Sequence, residues 1–566
     1  MAVREHKCLL LSSFTIDNFA GYISNAPSLP ALEVVTLPAY DNVIQFLLES
    51  DNRYWNPKPE FVIIWSTPDR ICPSFKKVMN YKPVLDGVIA DEVKVFSDLV
   101  VEAARRTGQL FIPSWVIPGD DRGLGILDMK SPLGIRRTLM KMNLQLMEAL
   151  SPVPNIYILD TMRWMMLTGK EAYNPLLWYM AKIPFSNEVF KEAVPDIKTA
   201  MAASLGLRKK LVIVDLDNTL WGGIVGEMGW ENLRLGGHDS VGEAFADFQK
   251  GLKRLTDMGV VLGVVSKNEE AVALEAIRNH PGMVIRLEDL VAWRINWQDK
   301  AENIVSLTEE LNLGLSSVVF IDDNPRERSR VREALPEVLV PEWPGNPLLY
   351  RKALNDLRCF DSITVTEEDR GKTGLYQSEL ARKKDRRRLP SLNSWLKTLE
   401  IKIWAEELNQ TNLPRAVQLL NKTNQMNLRT RRLSETVLKE WADHDSHNFW
   451  VVFVEDKFGE SGLTGIISLE HYGESAVIAD FVLSCRVIGR KVEETMLAFA
   501  CRKAKEMGAT EVLAEYLTTL KNKPCFDFFF RSGFTSKPEK DLFGWLLEND
   551  YPFPEEVAFL DPDKMI

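Results

Sequence analysis

Residues 211–219 read LVIVDLDNT, an apolar run of four residues followed by two aspartates that a single leucine separates. A short apolar run bounded by polar residues is typical of a buried strand in a parallel sheet. Parallel strands deliver the residues that follow them to the carboxyl edge of the sheet, where open α/β folds bind ligands. Asp215 and Asp217 are therefore predicted to face a functional site at that edge.

Two further apolar runs end in polar residues that suit the same chemistry. Residues 261–265 precede Ser266, and residues 318–321 precede Asp322 and Asp323. A serine hydroxyl and nearby backbone N–H groups can hold phosphoryl oxygens, and carboxylate oxygens are the ligands that Mg²⁺ prefers. Each cluster alone is better explained as a surface turn, but three clusters at strand ends predict one phosphoryl-transfer site.

Phosphoryl transfer gives these residues distinct roles. Asp215 can attack phosphorus and form an aspartyl phosphate, while Asp217 can protonate the leaving group and then activate water. Lys300 can neutralise charge on the phosphoryl group. The alternative for Lys300 is a solvated position on a helix, and for Asp322–Asp323 it is a simple turn.

The clusters resemble the four motifs of the haloacid dehalogenase (HAD) superfamily, with Asp215-x-Asp217-x-Thr219 as the first. The resemblance implies that Asp215 is the nucleophile and Asp217 the general acid/base. It implies Mg²⁺ held by Asp215, the Asp217 backbone carbonyl and Asp322, with Asp323 in support. Thr219 would orient the phosphate site, and Asn268, two residues after Ser266, is a further candidate for binding phosphate or substrate.

The spacing of the motifs predicts that the site has no cap domain. About 45 residues separate Thr219 from Ser266, and about 33 separate Ser266 from Lys300, whereas domains begin near 50 residues. The site is therefore expected to be open or closed by neighbouring domains. An open site suits a bulky or protein-tethered substrate.

Four longer stretches resemble the FkbH family, subclass IIIC of the superfamily: residues 215–223 (DLDNTLWGG), 294–304 (RINWQDKAENI), 320–325 (FIDDNP) and 423–427 (TNQMN). The resemblance implies an enzyme that takes a glyceryl unit from 1,3-bisphosphoglycerate, removes phosphate and loads the unit on an acyl carrier protein thiol in polyketide-type biosynthesis. Many such relatives carry cysteine between the two aspartates, where this chain has Leu216. Another thiol could act, the carrier thiol could attack directly, or the protein could be a phosphatase acting on something else.

Alternating apolar runs and helical patterns predict an α/β fold with two flanking domains. The N-terminal part resembles SGNH hydrolases, with Ser12 and Ser13 after the first strand, but their Asp-x-x-His pattern is absent, since Arg163 stands three residues after Asp160 where the histidine base would be. The predicted segments are a flavodoxin/SGNH-like parallel sheet domain, expected to be non-catalytic (1–185), a connecting helix (186–208), a capless, Rossmann-like HAD domain (209–360), a charged helical linker (361–395) and an α+β GNAT-like acyltransferase domain (396–566).

The GNAT resemblance rests on a loop that opens a long helix. Residues 486–491 read RVIGRK and approximate the R-x-x-G-x-G loop that binds pyrophosphate at a helix N-terminus. Arg486, Gly489 and Arg490 are therefore candidate pantetheine contacts. Cys485, directly before the loop, is a candidate acyl-accepting thiol because neighbouring positive charge favours the thiolate; the alternative is a buried apolar cysteine.

Composition excludes several other classes. The net charge of −10 disfavours nonspecific nucleic-acid binding, and six scattered cysteines predict neither disulfides nor a zinc site. No apolar run reaches the ~20 residues that span a membrane, and the N-terminus lacks a secretory signal pattern, so a cytoplasmic protein is expected. The basic run at 382–388 is expected to be a solvated helix face, with carrier docking as the alternative.

Three functions follow, in order of preference. The first is a Mg²⁺-dependent enzyme that couples dephosphorylation of a small phosphorylated acyl substrate to acyl transfer onto a phosphopantetheinylated carrier protein. The second is a capless phosphatase on a small phosphoester. The third is a carrier-protein or CoA-binding scaffold with a vestigial site, against which the intact aspartate set argues.

Overall fold

The computed structural model describes residues 5–37, 41–49, 52–237, 239–386, 391–433, 435–519, 521–537 and 541–560. The chain forms two compact units. Unit 1 comprises Met1–Arg208 and Leu357–Ile363, and unit 2 comprises Lys209–Asp356 and Thr364–Ile566. Among the described helices, none is both long enough and apolar enough to cross a membrane.

Unit 1 is built on a parallel sheet with helices on both faces, as the alternation of apolar runs predicts. The sheet order is β2-β1-β3-β4-β5. The strands are β1 (Glu5–Ser12), β2 (Ala31–Thr36), β3 (Phe61–Trp65), β4 (Gln109–Pro113) and β5 (Ile156–Leu159). The helices are α1 (Asp17–Asn25), α2 (Val43–Leu48), α3 (Pro68–Ile71), α4 (Pro73–Met79), α5 (Asp86–Ala104), α6 (Ile135–Leu150), α7 (Thr161–Thr168), α8 (Pro175–Ala181) and α9 (Asn187–Ser204).

The central part of unit 2 is a second parallel sheet, in the order β8-β7-β6-β9. Its strands are β6 (Leu211–Val214), β7 (Val261–Ser266), β8 (Leu290–Ile295) and β9 (Val318–Ile321). Its helices are α10 (Val225–Met228), α11 (Ser240–Asp257), α12 (Glu270–Asn279), α13 (Lys300–Leu311), α14 (Pro325–Ala334) and α15 (Tyr350–Asn355). Between β6 and β7 the described residues form α10, a short 3-10 helix (Trp230–Asn232) and α11, which are too short to make the cap domain whose absence the spacing predicts.

Three helices lead from the central sheet to the C-terminal part: α16 (Glu367–Arg370), α17 (Lys372–Arg386) and α18 (Leu392–Thr398). On one side of α17, Gln377 Nε2 donates to the Leu290 carbonyl at 2.8 Å, where β8 begins. On the other side, Arg382 forms two hydrogen bonds, of 2.7 and 2.8 Å, with the carboxylate of Asp456. Arg382 is buried, so the expectation of a solvated basic face is wrong at this position; residues 387–388 lie outside the described residues.

The C-terminal part is an α+β module, as predicted; its likeness to GNAT acyltransferases stays a prediction. Its mixed sheet has the order β16-β17-β15-β14-β13-β12-β10-β18, with β11 paired to β14. The strands are β10 (Lys402–Glu407), β11 (Met426–Asn427), β12 (His447–Asp456), β13 (Gly459–Tyr472), β14 (Ser475–Leu483), β15 (Glu511–Glu515), β16 (Thr535–Lys537), β17 (Leu542–Leu546) and β18 (Ala558–Leu560). The helices are α19 (Leu413–Lys422), α20 (Glu435–Ala442), α21 (Val492–Glu506) and α22 (Lys523–Arg531).

Candidate active site

Three carboxylates meet at the carboxyl edge of the central sheet. The strands β6 and β9 are adjacent and parallel, with Val214 opposite Ile321, so the residues that follow them leave the sheet side by side. One carboxylate oxygen each from Asp215, Asp322 and Asp323 lies within 4.8 Å of the other two. Asp215 and Asp322 are buried, and Asp323 is half-buried. The sequence prediction that these residues lie together agrees with this placement.

Lys300 lies between two of these carboxylates. The side chain of Asp299 caps the start of α13 by accepting from the Ala301 N–H at 2.9 Å, so Lys300 is the first helical residue. Its Nζ is 3.0 Å from Asp215 Oδ1 and 2.6 Å from Asp322 Oδ2. Burial alone would lower the pKa of the Lys300 ammonium, but the charges of Asp215 and Asp322 outweigh that effect and raise it. Lys300 therefore stays protonated and can neutralise a phosphoryl group.

The site carries more negative than positive charge. Burial and the neighbouring charge of Asp215 raise the pKa of the Asp322 carboxyl, and Lys300 offsets this only in part. The same two causes raise the pKa of the Asp323 carboxyl. Three hard carboxylate oxygens with a single ammonium form a donor set that fits a divalent, oxygen-seeking cation such as Mg²⁺.

Asp217 is fixed by three hydrogen bonds. Its Oδ1 accepts from Trp221 Nε1 at 2.9 Å and from the Val225 N–H at 3.1 Å, and its Oδ2 accepts from Asn268 Nδ2 at 2.8 Å. Burial raises the pKa of the Asp217 carboxyl, with a smaller contribution from Asp215, and the three hydrogen bonds oppose this rise. A carboxyl that holds its proton to higher pH suits a general acid.

The predicted phosphate-binding residues hold the catalytic loops in place through their own hydrogen bonds. Thr219 accepts the Asp323 N–H at 3.1 Å and joins the loops that follow β6 and β9. Ser266 ends β7, beside β6, and is buried. Asn268 points to Asp217, which places it among the groups that orient the acid/base.

Two residues that sequence reasoning missed hold the catalytic backbone. Arg328 Nη1 donates to the carbonyls of Asp322 and Asp323 at 2.8 and 2.7 Å. The Tyr350 hydroxyl donates to the carbonyl of Asn218 at 3.0 Å, where the backbone has a φ of 55°. No sequence motif marks these two residues, because any side chain with a donor of suitable length can bind a backbone carbonyl oxygen.

In the C-terminal loop, the predicted pantetheine contacts are engaged elsewhere in the fold. Arg490 is buried and contacts Glu379 of α17 and Asp456 of β12. The Gly489 N–H donates to the carboxylate of Glu493 at 2.6 Å. Arg486 Nε donates to the Ser484 hydroxyl at 3.2 Å. These assignments remain predictions, since ligand binding at the loop requires these groups to be redirected.

Cys485 is exposed, unlike the buried cysteine of the alternative interpretation. It lies near Tyr376 of α17. Gln377, the next residue of α17, contacts the amino end of β8. This amino edge of the central sheet is ~13 Å from the carboxyl edge that holds the catalytic groups, because β6 crosses the sheet in four residues. Its role as an acyl acceptor stays a prediction.

In unit 1, the two serines at the end of β1 accept hydrogen bonds from nearby backbone N–H groups. Ser12 Oγ accepts the Phe14 N–H at 3.1 Å, and Ser13 Oγ accepts the Thr67 N–H at 2.8 Å. Asp160 caps α7 by accepting the Arg163 N–H at 3.1 Å. That this domain is non-catalytic stays a prediction.

Residues 30–198 match the model of the FkbH N-terminal domain. The N-terminal part of the chain is therefore similar to the FkbH N-terminal domain, which agrees with the predicted resemblance to the FkbH family. The motif stretches that first indicated this resemblance, at 215–427, lie outside the matched residues. No match was found among curated proteins.

Among solved structures, the FkbH-like chain is similar to the N-terminal part of the protein BF1531 from Bacteroides fragilis, which contains a phosphatase domain and is complexed with Mg. The identity is 29%, the match covers 64% of this chain and 96% of that chain, and the TM-score is 0.58. Spermidine N-acetyltransferase from Vibrio cholerae, in complex with CoA and spermine, matches at 16% identity over 26% of this chain and 97% of that chain, with a TM-score of 0.22.

Proposed function

We propose that this FkbH-like protein is a Mg²⁺-dependent, HAD-type phosphatase that couples dephosphorylation of an activated acyl substrate to acyl transfer onto a carrier-protein thiol. The observation that carries the phosphatase assignment is the position of Lys300 Nζ, 3.0 Å from Asp215 and 2.6 Å from Asp322. Similarity to a phosphatase domain complexed with Mg supports it. Asp215, Asp322 and Asp323 would hold the ion, which would screen phosphoryl charge.

The phosphoryl step uses Asp215 and Asp217. A carboxylate oxygen of Asp215 attacks phosphorus and forms an aspartyl phosphate, while Lys300 neutralises the phosphoryl oxygens. Asp217 gives its proton to the leaving oxygen. Asp217 then removes a proton from the water that attacks the aspartyl phosphate, which releases phosphate and restores Asp215.

The acyl step must use a different bond. In 1,3-bisphosphoglycerate, the ester phosphate can leave through Asp215, but hydrolysis of the acyl phosphate would leave an unactivated carboxylate. The thiol therefore attacks the carbonyl carbon, and the acyl phosphate departs as inorganic phosphate. A thioester on the carrier protein forms without any further reactant.

Leu216 rules out an acyl-accepting thiol between Asp215 and Asp217, so the attacking thiol must come from elsewhere in the chain or from the carrier. Its side chain is fully buried, and leucine cannot carry an acyl group. Cys485 lies near the helix that contacts the opposite edge of the sheet. Direct attack by the carrier thiol at the open edge is therefore the preferred route.

A phosphatase acting on a small phosphoester is the second candidate. Leu216 favours it, because the chain lacks the thiol that many glyceryl-loading relatives have between the two aspartates. The same catalytic carboxylates would serve this activity.

One experiment separates the candidates. The protein is incubated with 1,3-bisphosphoglycerate, Mg²⁺ and a phosphopantetheinylated acyl carrier protein, and products are followed by intact-protein mass spectrometry and phosphate assay. A glyceryl adduct on the carrier supports the proposal, phosphate release alone selects the second candidate, and absence of both contradicts an enzymatic role. Asp215→Asn should lower phosphate release by about 10³-fold or more, because the nucleophile is lost.

A further inference from the structure

Large apolar and cationic side chains surround the open catalytic edge of unit 2. Ile224 and Met228, at α10, are 41% and 42% exposed, and Trp297, in the loop before α13, is 76% exposed. Arg326 and Arg330 are exposed one turn apart on α14, which begins two residues after Asp323. We call these five residues the rim.

The rim is built on the segments that position the catalytic groups. The Val225 N–H, next to Ile224, bonds to Asp217. The Asn296 N–H, next to Trp297, donates to the Ser266 carbonyl at 3.1 Å. Any molecule that contacts these two segments therefore lies directly over the phosphoryl-transfer site.

The loop that carries Trp297 is held rigidly although the indole is exposed. The Asn296 side chain accepts from the Gln298 N–H at 2.9 Å and from Asn303 Nδ2 at 2.8 Å. Arg330 Nε donates to Asp299 Oδ2 at 2.9 Å, which ties α14 to the same loop. Because the loop backbone is already held in place, less conformational entropy is lost when a partner binds to this segment.

A small phosphorylated acyl substrate gains little from such a surface. Lys300 can neutralise its phosphoryl charge, whereas exposed tryptophan and arginine are the side chains that dominate protein–protein affinity. The cation of Arg326 complements a partner with anionic groups, such as the phosphodiester that links a phosphopantetheine arm to its carrier, while Arg330 is already paired with Asp299.

We propose that the rim is the docking surface for the thiol-bearing carrier protein, with Trp297 as the apolar anchor and Arg326 facing its anionic groups. The inference rests on the proposed acyl transfer. It places the arm across the open edge, so that the thiol reaches the acyl carbonyl held beside Lys300. The rim takes the place that a cap would have, and it selects the acceptor.

Trp297→Ala and Arg326→Glu test the proposal in the full chain. With a phosphopantetheinylated acyl carrier protein as the varied substrate, Trp297→Ala should raise the KM for the carrier about tenfold or more, with kcat changed less than about twofold. Arg326→Glu should weaken loading at low salt and much less at high salt. The matched control is Phe530→Ala on α22, an aromatic side chain that is 64% exposed and remote from the rim in sequence; it should change neither value.

Three results would overturn the docking role. If Trp297→Ala leaves the KM and kcat for the carrier unchanged, the rim does not bind the carrier. If Trp297→Ala lowers phosphate release in the absence of carrier as much as it lowers carrier loading, Trp297 contacts the small substrate instead. A change of mass by light scattering would assign the rim to a second copy of the chain. If the wild-type protein releases phosphate but never loads the carrier, the proposed acyl transfer itself fails, and the docking role fails with it.

Discussion

Asp217 illustrates how single side chains set the chemistry. Both of its oxygens are engaged, by Trp221 and Val225 on one side and by Asn268 on the other. The carboxyl plane is therefore fixed, and its proton is presented in one direction. General acid catalysis depends on that geometry as much as on the raised pKa.

Asn268→Ala should slow phosphate release by about 10- to 100-fold, because Asp217 loses one of the bonds that orient it. The KM for the phosphorylated substrate should change less than about threefold. Steady-state kinetics with Mg²⁺ measures both values, and Asn355→Ala, an exposed asparagine at the end of α15, is the matched control. A raised KM with unchanged kcat would instead show that Asn268 contacts the substrate phosphate.

At the residue scale, the sequence predicts the residues that belong to a family motif, most of which directly follow a strand. Asp215, Asp322 and Lys300 follow from the order of apolar runs and from the family motifs. Arg328 and Tyr350 do not, since they bind backbone carbonyls, and Tyr350 lies 132 residues from its partner. Only the folded backbone shows which carbonyls need a donor.

Among the elements, α17 joins the central and C-terminal parts of unit 2. Besides Arg382, its Ser378 hydroxyl donates to the Phe458 carbonyl at 2.9 Å, and Lys383 donates to the Glu310 carbonyl at 2.8 Å. Contacts on both sides make α17 a bridge of fixed geometry. The sequence of such a charged helix predicts a solvated linker. The prediction fails because the groups that pair with its charges come from distant segments, which the local sequence does not show.

Arg382→Met should destabilise unit 2 by about 3–5 kcal/mol, because it leaves the buried carboxylate of Asp456 without its main partner. Urea unfolding followed by tryptophan fluorescence measures the loss. Lys352→Met, which removes an exposed ion pair with Asp356, should cost less than ~1 kcal/mol. The double variant Arg382→Met/Asp456→Leu should recover part of the stability; if it is no better than Arg382→Met, the buried charge is not the cause.

The strands show where sequence patterns succeed. All five strands of unit 1 and three of the four central strands follow apolar runs that predict them. The fourth, β8, is an edge strand whose Trp293 and Arg294 are half-buried, and its apolar run at 290–293 ends at Arg294 and not at a polar cluster of the kind that follows the other three. In the C-terminal module, the apolar residues Leu399 and Ile401 precede β10, which begins only at Lys402, because α18 extends to Thr398 and Glu400 has a φ of 53°.

At the scale of the molecule, the catalytic carboxylates all belong to unit 2. The central sheet, α17 and the C-terminal module fall in that one compact unit, while residues 30–198, which match the FkbH N-terminal domain, lie in the other. No pattern in the sequence predicts this grouping, because it depends on contacts such as Arg382–Asp456.

Mg²⁺ should stabilise one unit and not the other. Differential scanning calorimetry is expected to resolve two transitions, and Mg²⁺ at about 100 times its Kd should raise the one for unit 2 by a few degrees, since the ion binds only the folded carboxylates. Unit 1 is the internal control, and Asp322→Asn should abolish the shift. Equal shifts in both transitions, or none, would contradict the assigned metal ligands.

The short segment Leu357–Ile363 has a consequence for fragments of this protein. It follows the central sheet in the chain but belongs to unit 1, where Arg358 contacts Asp196 at 2.6 Å and Phe360 is buried. A protease nick between residues 208 and 209 would therefore leave two pieces that migrate apart on a denaturing gel yet elute together from a sizing column. The peptide bond at that junction is dispensable for holding the halves together.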